Sequence, residues 1–78
     1  MSDAEESTAA ESRPLVVNGQ TSPLPQGRSL AEVLTAAGLA NRPVAVEVDG
    51  EVVPRSRFGE PSLTGGERIE IVTFVGGG

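Results

Sequence analysis

The side chains that usually carry catalysis are missing from this sequence. It has no histidine, and so lacks both the neutral-pH proton shuttle and the commonest metal ligand. It has no cysteine, which removes thiolate nucleophiles, thiolate metal sites and disulfides together. Carboxylates remain, among them Glu47, Glu51 and Glu70, but Glu47 and Glu70 alternate with apolar residues as solvated strand positions do. No catalytic residue and no metal site is expected. The chemistry points to the end of the chain, where Gly76, Gly77 and Gly78 follow an apolar segment. Glycine there costs backbone entropy and packs nothing. What three glycines offer is access: a thin peptide, at most ~10 Å long, that enters a narrow channel and lets a catalytic site close on its backbone. The reacting group is then the Gly78 carboxylate, threaded into place by Gly76 and Gly77. A carboxylate is a poor electrophile until an ATP-dependent partner adenylates it. Attack of a sulfur nucleophile on that mixed anhydride leaves a C-terminal thiocarboxylate, a nucleophilic sulfur donor. The plainer reading of the same glycines is a frayed end with no role.

Size and charge narrow the elements that must position such an end. At 78 residues the chain makes one domain at most, and so short a domain buries only ~60 % of its unfolded surface. That leaves little room for a cleft that encloses a substrate. Six basic residues face eleven acidic ones, for a net charge of -5, so a nucleic-acid footprint is not expected. All the basic residues are arginine. The absence of lysine removes any ε-amine that an activated acyl group would modify, although codon usage that favours arginine is the plainer account of it. The N-terminus is acidic, without a basic n-region or apolar run, and no segment approaches the ~20 apolar residues of a membrane helix. Cytoplasm is the default location.

Residues 1–13 read as a disordered acidic tail. Apart from Met1 they contain no large apolar residue and bury too little to offset ordering entropy. From Pro14 the pattern turns strand-like. Leu15, Val16 and Val17 lead into Asn18-Gly19, a type I′ hairpin signal, with Gln20 to Leu24 returning and Pro23 marking an edge or an early end. Ser29 and Glu32 form a capping box, and Leu30, Val33, Leu34 and Ala37 make one apolar helical stripe, closed by Gly38 and Leu39. Val44, Val46 and Val48 alternate with Ala45 and Glu47, Asp49-Gly50 turns a second hairpin, and Glu51 to Val53 returns. Residues 54–63 read as a loop holding Arg55, Arg57 and Phe58, and Thr64-Gly65-Gly66 as a turn. The last strand spans Arg68 to Val75, with Ile69, Ile71, Thr73 and Val75 on its core face. So apolar a strand belongs in the middle of a sheet, crossed on one face by the helix. The expected fold is α+β, a β-grasp (ubiquitin-like) domain over residues 14–75. It has a mixed sheet of about five strands, one main helix and a projecting glycine tail at 76–78.

Three segments, in order, carry a resemblance. They are Val17-Asn18-Gly19-Gln20, the hairpin from Val44 through Asp49-Gly50 to Val53-Pro54-Arg55-Ser56, and the ending from Gly66-Glu67-Arg68-Ile69 to Gly78. Together they resemble ThiS, the sulfur-carrier family of thiamine (thiazole) biosynthesis, over roughly residues 14 to 78. The resemblance implies a β-grasp fold and adenylation of Gly78 by a ThiF-type adenylyltransferase that uses ATP. It implies a thiocarboxylate that donates sulfur to the thiazole synthase ThiG, with a cysteine desulfurase as the sulfur source. The chain itself binds no cofactor in this scheme. Gly77 and Gly78 match the family's terminal diglycine, Gly76 is an added glycine, and the acidic tail lies outside the pattern.

Other readings stay open at this point. The small subunit of molybdopterin synthase shares the terminal chemistry, but the proline expected before its diglycine is replaced here by Thr73-Phe74-Val75. A ubiquitin-like modifier also ends in diglycine. A plain non-covalent binding module would not need its C-terminus at all. For docking, Val72 and Phe74 share the outer face of the last strand with Glu70, either as an apolar patch for a partner or, for Phe74, as a lid on the core. Arg55 and Arg57 are the candidate basic rim of such a patch.

Overall fold

The computed structural model describes residues 13–74. The expectations for residues 1–12, for Val75 and for Gly76, Gly77 and Gly78 lie outside them. Within them the chain forms five strands and one α-helix: β1 (Leu15–Val17), β2 (Gln20–Ser22), α1 (Leu30–Ala36), β3 (Val44–Val48), β4 (Glu51–Val53) and β5 (Arg68–Thr73), with a 3-10 turn at Arg55–Arg57 before β5. The strands make one mixed sheet in the order β2-β1-β5-β3-β4. Only β1 and β5 run parallel. The apolar last strand is central, as its composition required, and the architecture is the β-grasp.

Local chemistry accounts for the elements. Asn18 and Gly19 (φ 50° and 84°) and Asp49 and Gly50 (φ 51° and 87°) take the positive-φ pairs that a type I′ turn demands. The Ser29 hydroxyl accepts the Glu32 N–H at 3.2 Å and donates to the Glu32 carboxylate at 2.8 Å, while the Ser29 N–H returns to that carboxylate at 3.2 Å. That hydroxyl bond, aided by the Gly27 and Ser29 amides, outweighs desolvation and holds the Glu32 carboxyl below its ordinary range. At the far end Gly38 N–H donates to the Thr35 carbonyl at 3.0 Å and Leu39 N–H to the Leu34 carbonyl at 2.8 Å, a Schellman closure. A seven-residue helix does not persist alone. Leu30, Val33 and Leu34 fix it to the sheet through one core with Leu15, Val46, Ile69 and Ile71, each such burial being worth about 1.5–3 kcal/mol.

Four local expectations shift. β2 stops at Ser22, before Pro23, and Leu24 leaves the sheet to pack against the core. Ala37 is the exposed C-cap rather than part of the buried stripe, because the helix unwinds into Gly38 there. The 54–63 segment is a loop with a 3-10 turn, and it contributes Phe58 and Leu63 to the core. Thr73 follows the core-facing alternation of Ile69 and Ile71 but is exposed, at the last row of β5.

Candidate functional site

The site is assembled on β5, whose backbone alternates between its two neighbours. Towards β3 the rungs run from Asp49 N–H to the Arg68 carbonyl (2.8 Å) at one end to Phe74 N–H to the Pro43 carbonyl (3.1 Å) at the other. The even-numbered residues of β5 therefore bond β3, and Phe74 is held to the sheet after β5 has formally ended. Gly78 follows it four positions later in the sequence. The glycine end thus follows directly from the middle of the sheet.

The helix covers one face of that sheet and leaves the other bare. On the bare face the register sets Ala45 opposite Val72 and Glu47 opposite both Glu70 and Val52. Val52, Val72 and Phe74 are 70 %, 57 % and 53 % exposed. The two aromatics divide cleanly: Phe58 is 6 % exposed inside the core, and Phe74 stands outside it. The sequence left open whether Phe74 closes the core. Phe58 does, and no periodic signal announces it, because it sits in a loop.

The two arginines proposed as a rim are not equivalent. The Arg55 guanidinium donates to the Arg42 carbonyl at 2.8 Å and lies 5.4 Å from the centre of the Phe58 ring. Arg42 adjoins Pro43, whose carbonyl holds Phe74, so Arg55 belongs to the end of the sheet where the chain leaves it. Arg57 pairs with Glu60 at 3.1 Å and lines a groove with Asp49 and Glu51. It is tied up on the hairpin side. Arg55 and Phe74 are brought to one end, and Arg57 is not.

Sequence reasoning missed the role of Asn18 beyond its turn. Its side-chain amide lies against β5: Ile71 N–H donates to Oδ1 at 2.8 Å and Nδ2 donates to the Ile71 carbonyl at 3.2 Å. The signal was the residue type alone, since Gly and Asp serve the same turn but cannot supply both bonds. Among the described residues, no helix is long and apolar enough to cross a membrane, and no three acidic side chains gather as metal ligands.

Comparison with known proteins fits this geometry. The family model described as the ThiS family matches residues 9–78. A solved structure of the thiamine biosynthesis protein ThiS from Geobacter metallireducens superposes with a TM-score of 0.64 at 34 % identity, covering 83 % of this chain and 99 % of that one. The thiazole synthases of Paramagnetospirillum magneticum and Magnetococcus marinus are 36 % and 37 % identical over 64 and 62 residues, or 82 % and 80 % of this chain. The chain spans only about a fifth of those two relatives (20 % and 19 %). With the family model matched over nearly the whole sequence and a ThiS structure matched almost end to end, the chain belongs to the ThiS family.

Proposed function

We propose that this chain is a sulfur carrier of thiazole formation in thiamine biosynthesis, a protein co-substrate rather than a catalyst. The Gly78 carboxylate attacks the α-phosphorus of ATP on a ThiF-type adenylyltransferase, and pyrophosphate leaves. A sulfide nucleophile, released when a thiol reduces the persulfide sulfur of a cysteine desulfurase and is itself oxidised to a disulfide, then attacks the carbonyl carbon, and AMP leaves with one carboxylate oxygen. The product is the Gly78 thiocarboxylate. Gly76 and Gly77 let the end thread a channel that a Cβ would obstruct.

The observation that carries this reading is the placement of Phe74: just past the end of the central strand, half exposed, and four residues from Gly78. Any enzyme that receives the end meets Phe74 and Val72 first, with Arg55 beside them and Arg57 on a more distant part of the rim. A thiazole synthase of the ThiG type is the sulfur acceptor in this scheme, and the two relatives named thiazole synthase, a fifth of whose length resembles this chain, support that partner.

Intact mass spectrometry tests the reading. After incubation with the activating enzyme, ATP and sulfide, one oxygen should be exchanged for sulfur, localised to the terminal peptide. Free acid alone under those conditions would remove the main support. Deleting Gly77 and Gly78 should abolish the exchange while changing stability by less than ~0.5 kcal/mol.

A further inference from the structure

We infer that β5 continues the sheet into a second protein: the enzyme that activates the glycine end adds an extended segment of its own beside Thr73, on the side of β5 that β1 leaves open. The inference rests on the carrier reading above and names how the partner grips the chain.

The alternation of β5 is the starting point. Its even residues bond β3, so Ile69, Ile71 and Thr73 turn their N–H and C=O groups towards β1. The Ile69 carbonyl accepts the Asn18 N–H at 2.9 Å. β1 has ended by then, at Val17. At Ile71 the Asn18 side chain replaces a strand, accepting from the N–H and donating to the carbonyl. The amide imitates one more rung and then stops. Among the described residues nothing bonds the N–H or the carbonyl of Thr73 on this side.

The other open edges are treated differently. β2 and β4, the outer strands, are three residues long and run into Pro23 and Pro54, two of the devices that blunt an edge against pairing. The Thr73 edge has neither a proline nor a charge of its own. Threonine favours extended pairing, and the half-exposed Phe74 follows it. An enzyme that must recognise glycines finds no side chains to read. Main-chain hydrogen bonds to an added strand need none, and they hold the captured peptide extended.

Amide hydrogen exchange on the full chain, free and bound to the ThiF-type enzyme with ATP, reads this directly. Thr73 should exchange freely in the isolated protein and slow roughly tenfold or more in the complex, while Ile71 is slow in both. Thr73→Pro removes only the N–H that the fold leaves unused, so the melting temperature should hold and pyrophosphate release should fall about tenfold or more. An unprotected Thr73 in a complex that still adenylates Gly78, or full activity of a folded Thr73→Pro, overturns the inference and leaves the carrier reading standing. Protection that rises with the concentration of the isolated chain would give the edge to a second copy and also overturn it. If the parent chain forms no adenylate, the carrier reading and this inference fall together.

Discussion

The two ends of β5 are built on opposite plans. Where the strand begins, nearly every polar group is engaged. The Glu67 carboxylate takes the Thr64 N–H and Gly65 N–H at 2.8 Å and the Thr64 hydroxyl at 3.0 Å. The Glu67 carbonyl accepts from Val16, Gly66 N–H donates to the Pro14 carbonyl, and Arg68 N–H donates to the Asp49 carboxylate. Arg13 lies so close that a Cβ on Gly65 would stand 2.8 Å from its carbonyl oxygen. Where the strand ends, Thr73 is unbonded on the β1 side among the described residues, and Val72 and Phe74 stand half exposed. The polar groups are tied down at the entry and, among the described residues, left open at the exit. The parallel pairing of β1 with β5 also brings Arg13 to the entry.

That contrast is broken most severely in the core it hangs on. Ile69→Ala, at a side chain with no exposure, should cost about 2–5 kcal/mol, read as a large fall in the denaturant midpoint. A cost below ~1 kcal/mol would show that the entry half of β5 is not where the stability lies.

Asn18→Gly comes next, because it keeps the positive-φ turn while deleting both side-chain bonds to Ile71. We expect a loss of about 1–2 kcal/mol and faster exchange of the Ile71 amide. Unchanged exchange there would mean that Asn18 does not terminate the ladder.

Glu67→Gln attacks the entry clamp and should cost about 1 kcal/mol after allowance for partial solvent screening. It also carries a pH signature. Burial works to raise the Glu67 carboxyl, but hydrogen bonds from Thr64 and Gly65 outweigh it and hold it below the ordinary range. A carboxyl lowered in the folded state stabilises above its unfolded value, about 4.3, and that contribution disappears as pH falls through the lowered folded value. The thermal stability of Glu67→Gln should therefore depend less on pH in the acid range than that of the parent. Equal acid slopes would sink the clamp.

The smallest effect on stability belongs to the exit. Phe74→Ala should shift the melting midpoint by less than ~0.5 kcal/mol yet weaken the activating enzyme's apparent affinity by about 1–2 kcal/mol. The opposite pattern, lost stability with unchanged affinity, would return Phe74 to the core.

Much of this was legible beforehand because it is local. Asn18-Gly19 and Asp49-Gly50 announce their turns by tolerating positive φ. Ser29 and Glu32, three apart, announce the helix start, and the alternation around Ile69 and Ile71 announces a buried strand. What was not legible involves groups distant in sequence or placed without periodicity. Arg28 sits at φ 57°, a conformation that disfavours a side chain, because its carbonyl accepts the Leu63 N–H at 3.0 Å and fastens the helix entrance to the 54–63 loop. Nothing in Gly27-Arg28-Ser29 signals that contact.

The sequence by itself determined the turns, the capped helix, the apolar central strand and the glycine end, since each depends on residues within a few positions of one another. It also holds no histidine and no cysteine. Only the tertiary structure decided which aromatic is buried and which is exposed, which arginine lies at the end of β5, and where the ladder beside β5 stops among the described residues. Those outcomes depend on contacts such as Asn18 with Ile71, 53 residues apart, and a pairing across that distance is fixed only when the whole sheet closes.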